Sequence, residues 1–91
     1  MSVEQTLEER GKAYGGSFLE QSQYSQRLKQ IIHNSPNWNQ MMVDEREALE
    51  MICTKISRIC YGDLKETDNW HDIQGYARLI EKRLLERETR S

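Results

Sequence analysis

The sequence predicts an all-α fold, a small helical bundle of three main helices with a short N-terminal helix before them. Three observations carry this. Apolar residues recur at three- and four-residue intervals, cap residues and breakers punctuate the chain, and no segment alternates apolar with polar residues as a half-buried strand would. At 91 residues the chain has room for one domain, 1–91, whose core is too modest to give much stability alone, so self-association is expected.

Thr6 with Glu9 is the first capping-box pattern, and the helix it starts covers about 6–14, stopped by Gly15-Gly16. Ser17 with Glu20 repeats the pattern and opens a helix over about 17–33, with Tyr24, Leu28, Ile31 and Ile32 on one stripe; Asn34-Ser-Pro36-Asn37 ends it. Asp44 with Glu47 opens the next, over 44–61, where Leu49, Ile52, Cys53, Ile56, Ile59 and Cys60 form a core-facing stripe and Gly62-Asp63 is the stop. Asp68 caps the last helix, over 69–87, whose apolar positions are Ile73, Tyr76, Ala77, Ile80 and Leu84.

Composition narrows the function classes. Apolar residues make up 36% of the chain and charged residues 31%, which suits a soluble domain and leaves no run apolar enough to span a membrane. The opening Met1-Ser-Val-Glu-Gln-Thr6 has neither a basic patch nor an apolar leader, so the expected compartment is the cytoplasm. Net charge is −2, spread as zero over residues 1–42, −4 over 43–72 and +2 over 73–91, a poor footprint for DNA or RNA. The basic run Arg78, Lys82, Arg83, Arg87 and Arg90 is interleaved with Glu81, Glu86 and Glu88 and reads as a solvated helix end. Cys53 and Cys60 stand two helical turns apart, about 10 Å, too far for a disulfide within one helix, and read as small core residues. His33 and His71 have no zinc-ligand spacing to them.

The candidate site is argued from Asp72. On an ideal wheel it falls between Leu79 and Tyr76, on the apolar side of the last helix, whereas His71 points away. A buried carboxylate must be paired, ligated or protonated. Lys55 at the edge of the apolar arc of the preceding helix, and Arg58 beside it, are the expected partners. The pair serves either as a salt bridge fixing helix register or as part of a ligand site. Arginine grips phosphate through paired hydrogen bonds and aromatic faces stack on bases. On that chemistry the candidate ligand-binding residues are Arg10, Lys12 and Tyr14 ahead of the glycine pair, with Lys55, Arg58, Asp72 and Tyr76, and Trp38 or Trp70 as further rings. An alternative gathers Glu47 and Glu50 from one helical face with Asp68 and Asp72 from another, an oxygen set suited to magnesium.

Three segments carry a resemblance: Thr6-Leu-Glu-Glu-Arg10-Gly-Lys12-Ala-Tyr14-Gly15, Glu47-Ala-Leu-Glu50-Met-Ile-Cys-Thr-Lys55-Ile-Ser-Arg58-Ile, and Asp68-Asn-Trp70-His-Asp72-Ile-Gln-Gly75-Tyr76-Ala. Together they resemble a family of short helical phage and prophage proteins that brings no settled activity. The last is also similar to the closing helix of the all-α nucleotide-handling domains of the MazG type. That second likeness implies a magnesium-dependent nucleoside triphosphate pyrophosphohydrolase. Its Glu-Glu-x-x-Glu and Glu-x-x-Asp motifs are not intact, since Ala48 follows Glu47, and Lys55 and Arg58 bring positive charge where a metal would sit. The leading expectation is therefore a phage-encoded protein in the infected cell's cytoplasm that sequesters a nucleotide-derived ligand, such as a host immune signal, without turnover and without a cofactor. A third expectation is an inhibitor of a host defence protein, with acidic residues 43–72 imitating nucleic acid and Trp38, Met41 and Met42 forming a contact patch.

Overall fold

A computed structural model describes residues 2–5, 18–62 and 64–90, the last three by backbone alone, and among these every regular element is helical. Three long helices dominate: α1 (Phe18–His33), α2 (Val43–Tyr61) and α3 (Thr67–Arg90). Residues 3–5 are also helical, started by a reciprocal pair in which Ser2 N–H donates to Gln5 Oε1 at 3.1 Å and Gln5 N–H donates to Ser2 Oγ at 3.2 Å. The helix predicted over 6–14, the Ser17 cap and Asp63 lie outside the described residues.

Local chemistry explains the boundaries. After His33 the Asn34 side-chain amide donates to Gln30 O at 2.9 Å and Ser35 Oγ donates to Ile32 O at 2.6 Å, so the last carbonyls of α1 are satisfied by the turn that follows. One 3-10 turn, Trp38–Gln40, then leads into α2. Here the sequence reading needs correction: the helix begins at Val43, and the acid that reaches back to the cap is Glu45, whose Oε1 accepts from Met42 N–H at 3.0 Å, not Glu47. Asp44 is engaged elsewhere, by Arg83 at 2.6 Å. Gly62 stops α2 in extended backbone, φ −114°, a conformation open to any residue. The last helix starts at Thr67, two residues before the predicted start, and runs on to Arg90.

α2 is the middle element, packed on α1 along one flank and on α3 along the other. Polar and small side chains let α1 approach closely: Gln21 and Ser25 are buried, and Ser57 is fully buried with its hydroxyl donating to Thr54 O at 2.7 Å. Tyr24 meets Tyr61 edge to face at 5.3 Å, while His33 reaches Glu50 at 3.7 Å, which makes the two helices antiparallel. Arg46 clamps the connection, donating to Trp38 O and Asn39 O at 3.0 Å each with its guanidinium over the Trp38 ring, so Trp38 closes the α1–α2 loop. α3 is antiparallel to α2 in a single register: Asp44 and Lys55 stand eleven apart on α2, and their partners Arg83 and Asp72 stand eleven apart on α3. Arg83 also reaches Glu45 at 3.2 Å, binding the start of α2 to the late part of α3. No helix among the described residues is long and apolar enough to cross a membrane.

Candidate functional site

Lys55 Nζ lies 2.8 Å from Asp72 Oδ2, the central cross-helix contact of the α2–α3 pair. The burial is the reverse of the sequence expectation. The Lys55 side chain is 11% exposed and the Asp72 side chain 40%, so the sequestered charge is the ammonium and the carboxylate is its half-solvated counterion. The reason is position. Lys55 belongs to the middle helix, covered on both flanks, and Asp72 to an edge helix covered on one. The hydrogen bond from Lys55 is the main reason the Asp72 carboxyl is held below the usual carboxylate range; partial desolvation opposes it, and the charges of Lys55, His71 and Arg58 add to the lowering.

The outer side of Asp72 opens on a surface groove of about 350 Å³, lined by His71, Asp72, Gly75, Tyr76 and Leu79. These five lie along one edge of α3, with Tyr76 half-buried and Leu79 66% exposed. Gly75 is one of these lining residues. It sits inside a 24-residue helix, where glycine is the least favourable residue after proline, and a Cβ built on it meets nothing within 4 Å. Internal packing therefore gives no reason for a glycine here.

Of the sequence-predicted ligand residues, Lys55, Asp72 and Tyr76 are brought together, and Arg58 is half-buried near enough to act on the Asp72 charge. Lys55 is already engaged by Asp72, which leaves it a weaker candidate for phosphate than the sequence suggests. Arg10, Lys12 and Tyr14 lie outside the described residues. Trp38 is occupied in the α1–α2 connection, and Trp70 is exposed. The four carboxylates of the magnesium alternative are dispersed: Glu50 faces His33 on the α1 side of α2, Asp72 faces Lys55 on the α3 side, and Glu47 and Asp68 are solvent-exposed. Among the described residues no three His, Cys, Asp or Glu side chains are grouped as a metal ion would require.

Sequence reasoning missed Gly75, Leu79 and His71. Gly75 was the available signal, a glycine inside a helix three residues after a core-edge acid. Of the two cysteines only Cys53 is buried, with burial pushing its thiol up; Cys60, expected in the core, is exposed near the end of α2. Comparison of the chain with protein-family models, with curated proteins and with solved structures gives no match.

Proposed function

We propose that this protein binds and sequesters a nucleotide-derived small molecule in the groove beside Asp72, without turnover. One observation carries the reading: a half-solvated carboxylate, a tyrosine ring and a helix-interior glycine without a packing role line one groove. Each suits part of such a ligand. A carboxylate has acceptor sites to spare after one lysine is bound, and they match an exocyclic amine or ribose hydroxyls. The Tyr76 face supplies stacking surface, and the bare backbone at Gly75 lets a flat ring approach the helix closely. Phosphates are assigned to Arg58 and, from the sequence, to Arg10 and Lys12, with Tyr14 as a second ring.

The ion pair also argues for binding over catalysis. An acid held below its usual range by a buried lysine is a poor proton donor or acceptor near neutral pH. The biological setting that fits is a phage product acting in the infected cell's cytoplasm, as the resemblance of its three segments implies; a host signal as its ligand is our extension by analogy.

The test is to incubate the full chain with nucleotides, cyclic nucleotides and ADP-ribose-type compounds, with and without magnesium, remove unbound ligand, denature the protein and identify what is released. Intact ligand supports sequestration. Metal-dependent products would replace the proposal with hydrolysis, and neither retained ligand nor products would replace it with a protein partner.

A further inference from the structure

Asp72 offers its groove one kind of hydrogen-bonding group, and that narrows the ligand. The carboxylate is ionised and therefore only accepts; after Lys55 Nζ takes Oδ2 at 2.8 Å, both oxygens keep lone pairs for a ligand. Its charge, by contrast, is already matched. Lys55 neutralises it from the buried side, and Arg58 stands near enough to act on it as well, so a further cation such as an ammonium or guanidinium is repelled. The groove therefore asks for donors that carry no charge. Its volume of about 350 Å³ lies at the small end of ligand pockets and suits a single base with its sugar. Tyr76 also lines it, four residues and about 6 Å along the helix from Asp72, so a base stacked on that ring has the carboxylate within reach of its edge.

We infer that the groove selects guanine, reading the ring N1–H and the 2-amino group of its edge with the two oxygens of Asp72. The inference rests on the sequestration reading and names the base within it. Guanine holds those two donors side by side in the ring plane, the arrangement in which a planar fork meets a carboxylate through two parallel hydrogen bonds, here without a positive charge. No other common base does so. Adenine and cytosine set a ring acceptor beside their amine, and that acceptor would face a carboxylate oxygen. Hypoxanthine keeps the ring N–H but lacks the amine, and uracil flanks its N–H with two carbonyls. Ribose hydroxyls also donate without charge, but they rotate, and fixing two of them costs entropy that a rigid ring edge does not lose.

Calorimetric titration of the full chain at neutral pH with five nucleoside monophosphates tests it. Guanosine monophosphate should bind about tenfold or more tightly than inosine monophosphate, which lacks only the 2-amino group and so loses one hydrogen bond to a charged acceptor. Adenosine and uridine monophosphates should also bind more weakly than guanosine monophosphate, and 2′-deoxyguanosine monophosphate as tightly as the ribose form. In Asp72→Asn the amide accepts from N1–H and donates to the 6-carbonyl of either purine, so the guanosine-to-inosine ratio should fall to about one while circular dichroism shows the helices retained. Inosine, adenosine or uridine monophosphate bound as tightly as guanosine monophosphate overturns the choice of base and leaves sequestration standing. A deoxy form weakened about tenfold does the same, by moving Asp72 to the ribose. An unchanged ratio in Asp72→Asn overturns the role given to that carboxylate. Binding of none of the five overturns the inference, and sequestration falls with it only if the release assay also yields no ligand.

Discussion

Gly75→Ala separates the demands of folding from those of binding, because the two predict effects of opposite sign. Gly75 lies eight residues into α3 with helical structure on both sides, so the whole propensity difference between glycine and alanine applies, about 0.8–1.0 kcal/mol in favour of the variant. Nothing lies within 4 Å of the added Cβ, so no steric cost is subtracted. For a domain of this size a gain of about 1 kcal/mol raises the midpoint of thermal unfolding by roughly 4–8 °C. The same methyl adds bulk to the groove that Asp72 and Tyr76 also line, where under the proposed reading it would hold a stacked ring off the helix. One methyl of misfit in a pocket weakens binding by about tenfold or more. Thermal melts followed by circular dichroism read the first effect, and titration with whichever nucleotide-derived compound the wild type retains reads the second. A lower melting point would refute the claim that the fold has no use for this glycine. Undiminished binding by a stabilised variant would remove the ligand from the groove.

Four further outcomes follow from the same geometry. Because Lys55 lowers the Asp72 pKa in the folded state, the pair contributes stability above the unfolded carboxyl value of about 3.9 and loses it as pH falls through the lower folded value; urea denaturation should show Asp72→Asn less stable than wild type at neutral pH, with the gap closing in acid. Lys55→Met, which removes the buried charge and keeps the stem, should cost less at neutral pH than Asp72→Asn, which leaves that charge without its counterion; the reverse order of denaturation midpoints would contradict the burial assigned to the two groups. Arg83→Met frees Asp44 and Glu45 and should speed amide exchange a few-fold at residues 43–46 while the middle of α2 keeps its protection. With a thiol-reactive dye at neutral pH, Cys60 should be modified first and Cys53 only on unfolding, since burial raises the Cys53 thiol; equal rates would contradict its placement.

Much of the fold is legible in the sequence because its punctuation is local. The α1 stop lies in Asn34 and Ser35, whose side chains bond the helix's last carbonyls, and the stripes of α2 and α3 need only helical periodicity to be seen. The start of α2 is less legible because the choice among Asp44, Glu45 and Glu47 as capping acids depends on Arg83, thirty-nine residues away from Asp44. The site divides similarly. A wheel puts Asp72 and Lys55 on facing flanks, but which of the two charges is buried depends on which helix is central, a property of the packing order of α1, α2 and α3. His71 is exposed, as its angle on the wheel implies, and it lines the groove as well, because an edge helix offers its outer flank as groove wall and surface at once. Cys60 shares the core stripe by angle and is nonetheless exposed, close to the end of α2.

Amide shift mapping of the isotope-labelled full chain, titrated with a nucleotide-derived compound that it retains, tests the central claim most directly. The largest changes are expected along residues 71–79 of α3, with Lys55 and Arg58 following and the apolar hollow between α2 and α3 that Leu49 and Ile80 line unchanged. Changes confined to that apolar hollow or to α1, with residues 71–79 silent, would contradict it.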